Sequence, residues 1–270
     1  MPHHIRDRFD ALVIGGGIAG MQAALDLSEQ GHEVLLVEKT PSIGGVMVGL
    51  NKVFPTLDCS SCICTPRMAE SAHHPRIRLQ TYTEVQKIER VGSAFRAHLL
   101  LKPRYLREDT CIGCDECELV CPVDVPHEFD YDLGARRAIY IPHGNAIPQK
   151  AVLDVEHCIF CGKCEKACPT DCLDFTQEPV EVQTMVGSVI VASGLEVTPM
   201  SAKAEYGGGR FKNVLNPLAT ITAPTVVVTS SGSWVRSMHS AGHAFSHFPQ
   251  KTQSSTESTA FWGIALPCGM

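Results

Sequence analysis

Cys111-Ile-Gly-Cys114-Asp-Glu-Cys117-Glu-Leu-Val-Cys121-Pro122 is the stretch that most constrains the fold, and its spacing recurs as Cys158-Ile-Phe-Cys161-Gly-Lys-Cys164-Glu-Lys-Ala-Cys168-Pro169. Paired runs of this spacing are typical of the ligands of two [4Fe–4S] clusters. In such pairs the fourth cysteine of each run binds the cluster of the other run. The sequence therefore predicts two ligand sets: Cys111, Cys114, Cys117 and Cys168, and Cys158, Cys161, Cys164 and Cys121.

Zinc ligation and disulfide bonds are the alternatives for so many cysteines. The chain has 13 of them, and five lie outside the two runs: Cys59, Cys62, Cys64, Cys172 and Cys268. Structural zinc uses four ligands, usually as two separated pairs, so two complete four-cysteine runs favour clusters. Clusters also need thiolates and a reducing compartment. With no visible signal peptide, we expect a cytoplasmic protein.

Composition limits the remaining possibilities. The 270 residues suffice for one large or two modest domains, and 44% of them are hydrophobic. The net charge of -6 gives no reason to expect binding to nucleic acid or to an anionic membrane. No apolar run approaches the length that spans a bilayer.

A glycine motif near the N-terminus predicts a dinucleotide site. Gly15-x-Gly17-x-x-Gly20 follows an apolar strand pattern at residues 10–14 and opens a helical pattern at residues 18–30. Gly15 makes the tight turn, Gly17 lets the backbone approach a pyrophosphate, and Gly20 lets helix and strand pack closely. The N-terminus of the helix supplies N–H donors to the phosphates.

The second predicted strand, residues 32–37, ends at Glu38, which can accept hydrogen bonds from ribose hydroxyls. Glu38-Lys39 followed by Ser42-Ile43-Gly44-Gly45 is similar to the FAD-binding version of this unit. An apolar strand that ends in Ala-Ser-Gly, residues 187–194, is similar to the strand with which flavoproteins return to FAD. The predicted FAD-binding residues are Gly15, Gly17, Ala19, Gly20, Glu38, Lys39, Gly44, Gly45, Ser193 and Gly194.

The cysteine runs lie between these flavoprotein segments, which predicts an insertion. We expect an α/β Rossmann-like FAD-binding domain, thioredoxin-reductase-like, built from residues 8–101 and 176–218. A two-cluster, bacterial ferredoxin-like α+β domain, residues 102–175, interrupts it. An insert with few aromatic residues would struggle to build a core, and metal ligation can supply the missing folding free energy.

Residues 219–270 have a different composition. Sixteen of these 52 residues are Ser or Thr, and no second Gly-x-Gly-x-x-Gly occurs. The pattern predicts a weakly structured or aberrant tail. His239, His243 and His247 are spaced four apart, as for a metal site on a helix, but the residues between them disfavour a stable helix.

With these residues in view, the chain resembles the iron–sulfur A subunits of CoB–CoM heterodisulfide reductase. The resemblance covers residues 8–218 and follows the order of the family's motifs. Its matching segments are Val13-Ile-Gly-Gly-Gly-Ile-Ala-Gly20, Leu36-Val-Glu-Lys-Thr-Pro-Ser-Ile-Gly-Gly45, Phe54-Pro-Thr-Leu-Asp-Cys-Ser-Ser-Cys-Ile-Cys-Thr-Pro-Arg-Met68, Lys102-Pro-Arg-Tyr105, both cysteine runs, Ala138-Ile-Tyr-Ile-Pro142 and Tyr206-Gly-Gly-Gly-Arg-Phe-Lys-Asn-Val214.

The resemblance implies an oxidoreductase subunit that passes electrons between FAD and two [4Fe–4S] clusters within a larger complex. It implies other subunits of that complex as partners, with hydrogenase or ferredoxin as further candidates. Heterodisulfide itself is expected to be reduced on another subunit. Family members continue well past residue 218, so a truncated or frameshifted reading frame is our hypothesis for the tail. A non-enzymatic two-cluster carrier with an incomplete flavin domain is the alternative function.

Cys59-Ser-Ser-Cys62-Ile-Cys64 forms a third cysteine group with several possible roles. The resemblance favours ligation of a further [4Fe–4S] cluster by Cys59 and Cys62, completed by cysteines elsewhere. A redox dithiol near the flavin and buried structural cysteines are the alternatives. Cys64 is an extra cysteine beside this pair, and Cys172 is expected to be a small core residue.

Overall fold

The computed structural model describes residues 5–50, 52–53, 56–130, 132, 134–194, 204–207, 210–211, 226–228 and 234–236. The predictions for His239, His243, His247 and Cys268, and for most of the tail, therefore lie outside the described residues. Two short tail strands are described, and they pair antiparallel. Within the described residues, no helix is long and apolar enough to cross a membrane.

A six-stranded mixed sheet forms the centre of the fold. Its strands are β1 (Arg8–Ile14), β2 (Val34–Val37), β5 (Ile77–Gln80), β6 (Thr83–Val91), β7 (Ala94–Leu101) and β12 (Val180–Val191). They lie in the order β5-β2-β1-β12-β7-β6. The first four in this order are parallel, whereas β7 and β6 are antiparallel additions at one edge. The short strands β1 and β2 are largely apolar and buried, because both faces of a parallel sheet are covered by other parts of the chain.

Two helices cover one face of this sheet, α1 (Ile18–Glu29) and α2 (Ser60–His73). Their apolar side chains, including Met21, Leu25 and Met68, pack against Val13 and Leu36 of the sheet. A second cluster on the opposite face joins β1 and β2 to the antiparallel edge strands. The predicted Rossmann-like fold class is confirmed by this topology.

The predicted first helix is one residue too long, because α1 ends at Glu29 and Gln30 is its C-cap. Gly31 follows in the left-handed region at φ 97°. Glycine reaches that conformation at no steric cost, so it is the residue that stops the helix.

The cysteine runs lie on a long excursion between β7 and β12. This segment contains only short elements: α3 (Glu116–Leu119), β8 (Asp124–Pro126), β9 (Ala135–Arg137), β10 (Ile139–Tyr140), β11 (Val152–Leu153) and α4 (Lys163–Ala167). β8 pairs with β9, and β10 pairs with β11, both antiparallel. We call residues 102–179 the insert, because the chain leaves the central sheet at Leu101 and returns to it at Val180. The domain boundaries given above stay predictions.

The core of the insert is small and contains sulfur. Its main cluster of buried residues consists of Leu106, Cys111, Ile139, Ala151, Leu153, Cys164, Cys172 and Leu173. Four more cysteines pack against this cluster: Cys117, Cys121, Cys158 and Cys168. Apolar burial alone is therefore limited in the insert, and ligation by these cysteines is expected to add to its stability.

The remaining described elements connect these parts. A turn of 3-10 helix (Gly45–Gly49) leads to the paired strands β3 (Lys52–Val53) and β4 (Asp58–Cys59). Further 3-10 turns lie at Glu128–Asp130 and Ala204–Tyr206. The tail strands are β13 (Val226–Val228) and β14 (Trp234–Arg236).

The insert is hydrogen-bonded to the loop that follows β2. The Ile43 N–H donates to the Ile147 carbonyl over 3.1 Å, and the Ile147 N–H donates to Ser42 Oγ over 2.9 Å. Arg104, only 3% exposed, donates from Nη2 to Thr81 Oγ1 over 2.8 Å and also to the Pro41 carbonyl. The insert is thus joined directly to the loop that carries the second predicted glycine pair.

Candidate functional site

The first glycine turn has the geometry that a dinucleotide-binding turn requires. Gly15 has φ 108°, and Gly17 is the N-cap of α1. A Cβ on Gly15 would lie 2.3 Å from the Ala192 carbonyl oxygen, so β12 also requires glycine here. A Cβ on Gly20 would lie 1.9 Å from the Gly15 carbonyl oxygen, and the close packing of helix on turn therefore depends on that position.

The second glycine pair lies beside the first turn. The Gly44 N–H donates to the Gly16 carbonyl over 2.7 Å, and Gly44 forms a parallel bridge with Gly17. Gly44 and Gly45 have φ values of 119° and 57°. A Cβ on Gly45 would lie 3.0 Å from the Gly17 Cα, and a Cβ on Gly44 would lie 2.3 Å from a methyl group of Val48, so a side chain at either position would be crowded. Both segments meet at the N-terminus of α1, where unpaired N–H groups and the helix dipole favour phosphate.

The other predicted FAD residues border the same turn. Ala19 lies exposed in the first turn of α1, and Lys39 is exposed after β2. Ser193 is exposed, and its N–H group lies 3.4 Å from the position of a Cβ on Gly15. Gly194 has φ 76° with open space around it. The residues present therefore fit FAD, because a cradle without side chains faces a helix N-terminus.

Glu38 has a role that the sequence did not reveal. Its Oε2 accepts a hydrogen bond from the Gly16 N–H over 2.6 Å. Its Oε1 accepts from the Thr40 N–H and Oγ1 over 2.8 and 2.9 Å. The residue is 6% exposed. Glu38 therefore fixes the glycine turn itself, in addition to its predicted contact with a ribose.

Replacement of Glu38 by Gln should weaken both the turn and the dinucleotide site. The amide has one acceptor oxygen instead of two, so a buried N–H loses its partner at a cost of about 1–3 kcal/mol. We expect Glu38→Gln to lower the free energy of unfolding by that amount and to weaken FAD binding about tenfold or more. Thermal unfolding and flavin fluorescence titration measure these effects. Glu29→Gln, on the exposed end of α1, is the control, and an unchanged Glu38→Gln variant would contradict the assignment.

The first cysteine cavity brings together residues from both runs. Cys111, Cys114 and Cys117 line it with Cys168 of the second run. Cys172 lines the same cavity. This grouping is the first ligand set predicted from the sequence, with one thiol added.

The second cavity repeats this arrangement with the roles of the runs exchanged. Cys158, Cys161 and Cys164 line it with Cys121 of the first run. Its other walls are mainly apolar. The residues therefore fit two cubane clusters in separate, closely similar sites.

The two runs also repeat the same backbone conformations. Gly113 and Asp115 have positive φ in the first run, at 66° and 64°. Phe160 and Gly162 have positive φ in the second run, at 50° and 68°. These residues lie two and four positions after the first cysteine of their run. Left-handed residues at equal offsets curve both loops around their cavities, at a strain cost for the non-glycine positions.

The twelve described cysteines are all free thiols. Within the described ranges, no three His, Cys, Asp or Glu side chains converge closely enough to hold one metal ion. A cubane binds each thiolate through a different iron, so its ligands lie further apart than those of a single ion. The feature that favours clusters over zinc is the meeting of two complete four-cysteine sets in two cavities.

Burial changes the pKa values of several of these thiols. It raises the pKa of Cys117 to about 12 and also raises the pKa of Cys164. Burial acts in the same direction on Cys168, but hydrogen bonds from Cys172 and Thr170 outweigh it and lower the pKa of Cys168 to about 7. A ligating cysteine must be a thiolate, so iron binding at the buried thiols displaces protons.

The third cysteine group divides into an exposed pair and a buried residue. Cys59 is the N-cap of α2, and its Sγ accepts from the Cys62 N–H over 3.3 Å. Both side chains are exposed, so they are not buried structural cysteines. Cys64 is fully buried against Met68, and burial raises its pKa to about 11. The choice between a cluster ligand pair and a redox dithiol stays open.

The exposed pair should react unequally with alkylating agents. The side-chain hydrogen bond from Cys62 lowers the pKa of Cys59, and the same bond raises the pKa of Cys62. At pH values below both pKa values, Cys59 holds the larger thiolate fraction, so iodoacetamide should label it several-fold faster. The preference should fade as the pH rises through the pKa of Cys62. Peptide mass spectrometry of metal-free protein measures both rates, and faster labelling of Cys62 would contradict the geometry.

Two contacts were missed by sequence reasoning. Ser42 was treated only as part of a glycine-rich stretch, and Arg104 only as part of a family motif. The structure places both where the insert meets the sheet domain. The sole sequence signal for Arg104 is its position within Lys102-Pro-Arg-Tyr105, and Ser42 has no signal of its own.

Two family models match this chain. A model described as FAD dependent oxidoreductase matches residues 10–71, and one described as 4Fe-4S dicluster domain matches residues 104–169. The chain is thus an iron–sulfur flavoprotein by class, and the predicted cofactors, FAD and two [4Fe–4S] clusters, are confirmed. A further cluster at Cys59 and Cys62 stays a prediction.

The relatives identify the family. An iron–sulfur A subunit of CoB–CoM heterodisulfide reductase from Methanopyrus kandleri is 50% identical over 208 residues, which are 77% of this chain and 32% of that protein. The A subunit of H(2):CoB–CoM heterodisulfide,ferredoxin reductase from Methanothermobacter thermautotrophicus is 45% identical over the same shares. The chain belongs to the family of heterodisulfide reductase iron–sulfur A subunits over this stretch. It spans about a third of the length of the curated relatives it matches.

Solved structures show a weaker likeness. Thioredoxin reductase of T. acidophilum is 21% identical to this chain. The match covers 35% of this chain and 31% of that enzyme, with a TM-score of 0.32. The same enzyme from Lactococcus lactis is 22% identical, covering 33% of this chain and 30% of its own, with a TM-score of 0.30.

Proposed function

We propose that this chain passes electrons between FAD and two [4Fe–4S] clusters as one component of a heterodisulfide reductase-like oxidoreductase complex. The observation that carries this proposal is the exchange of the fourth cysteines between the two cavities. Each cavity combines three thiols of one run with the last thiol of the other. The family matches of the two segments support the same cofactor pair.

A short connection between the two cofactor sites supports transfer within one chain. Gly44 contacts the Gly16 backbone of the first glycine turn. Ser42 and Ile43, its neighbours, are hydrogen-bonded to Ile147 of the insert. A single loop therefore contacts both the glycine turn and the insert that contains the cysteine runs. Rigid backbone contacts of this kind hold donor and acceptor at a fixed separation, which electron transfer requires.

In this proposal the protein binds, positions and shields its cofactors. The glycine turns and the N-terminus of α1 hold the FAD pyrophosphate, and Glu38 keeps that turn in place. The eight cysteines of the two runs hold the clusters, while apolar walls and backbone N–H groups set their potentials. When bound, FAD supplies the exchange between two-electron and one-electron steps. No general acid or base of this chain enters the proposal.

The proposed partners are other subunits of such a complex, with hydrogenase or ferredoxin as further candidates. The name of the Methanothermobacter relative contains both H(2) and ferredoxin. We also propose a cytoplasmic location, which suits the thiolate chemistry of the clusters. Co-purification of the tagged chain from its native host, followed by mass spectrometry, tests the partner proposal.

Anaerobic quantification of iron, sulfide and FAD on one sample tests the function. About eight irons and one FAD per chain, with a flavin band that bleaches on reduction of the clusters, would support it. About eight irons without FAD would favour a non-enzymatic two-cluster carrier instead. About twelve irons would mean that Cys59 and Cys62 take part in a further cluster.

A further inference from the structure

The first cavity contains one thiol more than a cubane needs. Cys172 lines it together with Cys111, Cys114, Cys117 and Cys168. Its Sγ lies 3.4 Å from the Sγ of Cys168. Its side chain is directed into the insert core, where the residue is 5% exposed. The sequence prediction of a small core residue is correct about burial, but it misses the position beside a predicted ligand.

The backbone holds this fifth thiol in place. The Cys172 N–H donates to the Cys168 Sγ over 3.4 Å, and the Cys172 carbonyl accepts from the Arg107 N–H over 2.7 Å. The preceding residue, Asp171, takes the left-handed conformation at φ 47°. Leu173, which follows, forms an antiparallel bridge with Leu106. The two sulfurs are therefore kept together by a fixed turn and not by chance contact of mobile side chains.

Among the residues that the structure describes, no such thiol lines the second cavity, although the runs are otherwise repeats. Cys168-Pro-Thr-Asp-Cys172 corresponds to Cys121-Pro-Val-Asp-Val125. Val125 is buried, but it is not among the residues that line the second cavity. The two runs therefore provide a matched comparison within one chain. A thiol, Cys172, follows the fourth cysteine of the second run by four positions, and an apolar residue, Val125, follows the fourth cysteine of the first run by four positions.

We propose that Cys172 is a reserve ligand for the cluster of the first cavity. It replaces Cys168 on the same iron when the bond of Cys168 is broken or absent. In the exchange, the Fe–S bond of Cys168 breaks, the Fe–S bond of Cys172 forms, and the proton of the Cys172 thiol passes to the Cys168 sulfur. Both sulfurs keep their oxidation state, so no electron donor or acceptor is needed.

The short sulfur–sulfur distance makes this exchange feasible without refolding. The hydrogen bond between the two sulfurs supplies a direct path for the proton, since either sulfur can be the donor. Cys172 already lines the cavity in which the cluster would be held, beside the ligand that it would replace. The proposal rests on cluster binding in the first cavity, which the wild-type iron content tests separately.

Iron and sulfide content of anaerobically purified variants tests the proposal, together with the electron paramagnetic resonance spectrum after reduction. The variants are Cys168→Ala, Cys121→Ala, Cys172→Ala and the double variant Cys168→Ala/Cys172→Ala. We expect about eight irons in wild type, Cys172→Ala and Cys168→Ala, with the spectrum of two interacting clusters. We expect about four irons and a single-cluster spectrum in Cys121→Ala and in the double variant.

Three results would overturn the proposal. The first is a Cys168→Ala protein that contains only about four irons, or that fails to fold while Cys172→Ala folds with about eight irons. Either outcome would contradict a reserve ligand, which must preserve both the cluster and the fold when Cys168 is absent. Cys168→Ala/Cys172→Ala could retain about eight irons, which would exclude Cys172 as the rescuer. Fewer than eight irons in Cys172→Ala would make Cys172 a resident ligand. A wild-type protein without iron would instead refute the proposed function.

Discussion

Replacement of Gly20 by alanine should abolish FAD binding and leave the clusters intact. A Cβ at this position would lie 1.9 Å from the Gly15 carbonyl oxygen and 3.3 Å from the Ala192 Cβ. The first of these neighbours is backbone of the glycine turn, so relief requires α1 to move away from it. Overpacking of this kind costs about 1–3 kcal/mol or more, and the displaced helix N-terminus no longer faces the phosphates.

We expect the FAD content of Gly20→Ala to fall from one per chain to nearly none, with an affinity reduced by about two orders of magnitude. Iron content reports on the insert separately and should stay near eight. Gly144→Ala is the matched control, because a Cβ on Gly144 meets nothing within 4 Å. A Gly20→Ala protein with unaltered FAD content would show that this turn does not bind the cofactor.

Removal of iron should unfold the insert while the six-stranded sheet stays folded. Three of the eight buried core residues of the insert are cysteines, and its strands have two or three residues each. Structural metal binding to thiolates can contribute about 10–16 kcal/mol, as in zinc fingers, which exceeds what so small a core can supply. The central sheet has its own apolar clusters on both faces.

Hydrogen exchange on native and chelator-treated protein measures this effect. Amides of β10 and β11 should lose protection by several orders of magnitude in iron-free protein, since their stability depends on ligation. Amides of β1 and β2, whose side chains pack in the sheet clusters, should keep most of theirs. An iron-free insert that remains protected would mean that its apolar contacts suffice.

Local spacing explains why much of the candidate site was predictable. Ligand identity in each cysteine run depends on residues three or four positions apart, and turns of this length have few possible conformations. The glycine turn is equally local, because Gly15, Gly17 and Gly20 serve one strand, one turn and one helix. The strand that returns to FAD was predicted from its apolar run and its Ala-Ser-Gly ending, and β12 indeed pairs with β1 in parallel.

Contacts between distant segments were not predictable in the same way. Glu38 was assigned to a ribose, yet its carboxylate also accepts from Gly16, which is 22 residues away. Cys172 was treated as a core residue because nothing in its spacing marks it as the neighbour of an iron ligand. The third cysteine group was ambiguous, since exposure separates Cys59 and Cys62 from Cys64 and exposure depends on packing.

The sequence by itself determined the cofactor class of this protein and the order of its motifs, and it predicted two cluster ligand sets and a glycine-rich FAD turn. Only the tertiary structure decided how these parts meet. It placed Ser42 against Ile147, which is 105 residues away, and it placed a fifth thiol in one cavity but not in the other. Motifs are recognisable because their short loops are restricted by local sterics. Contacts between residues that are far apart in the sequence arise from the packing of the whole chain. Many sequences are compatible with such packing, and so are many different pairs of neighbouring residues, so the sequence alone does not reveal these contacts.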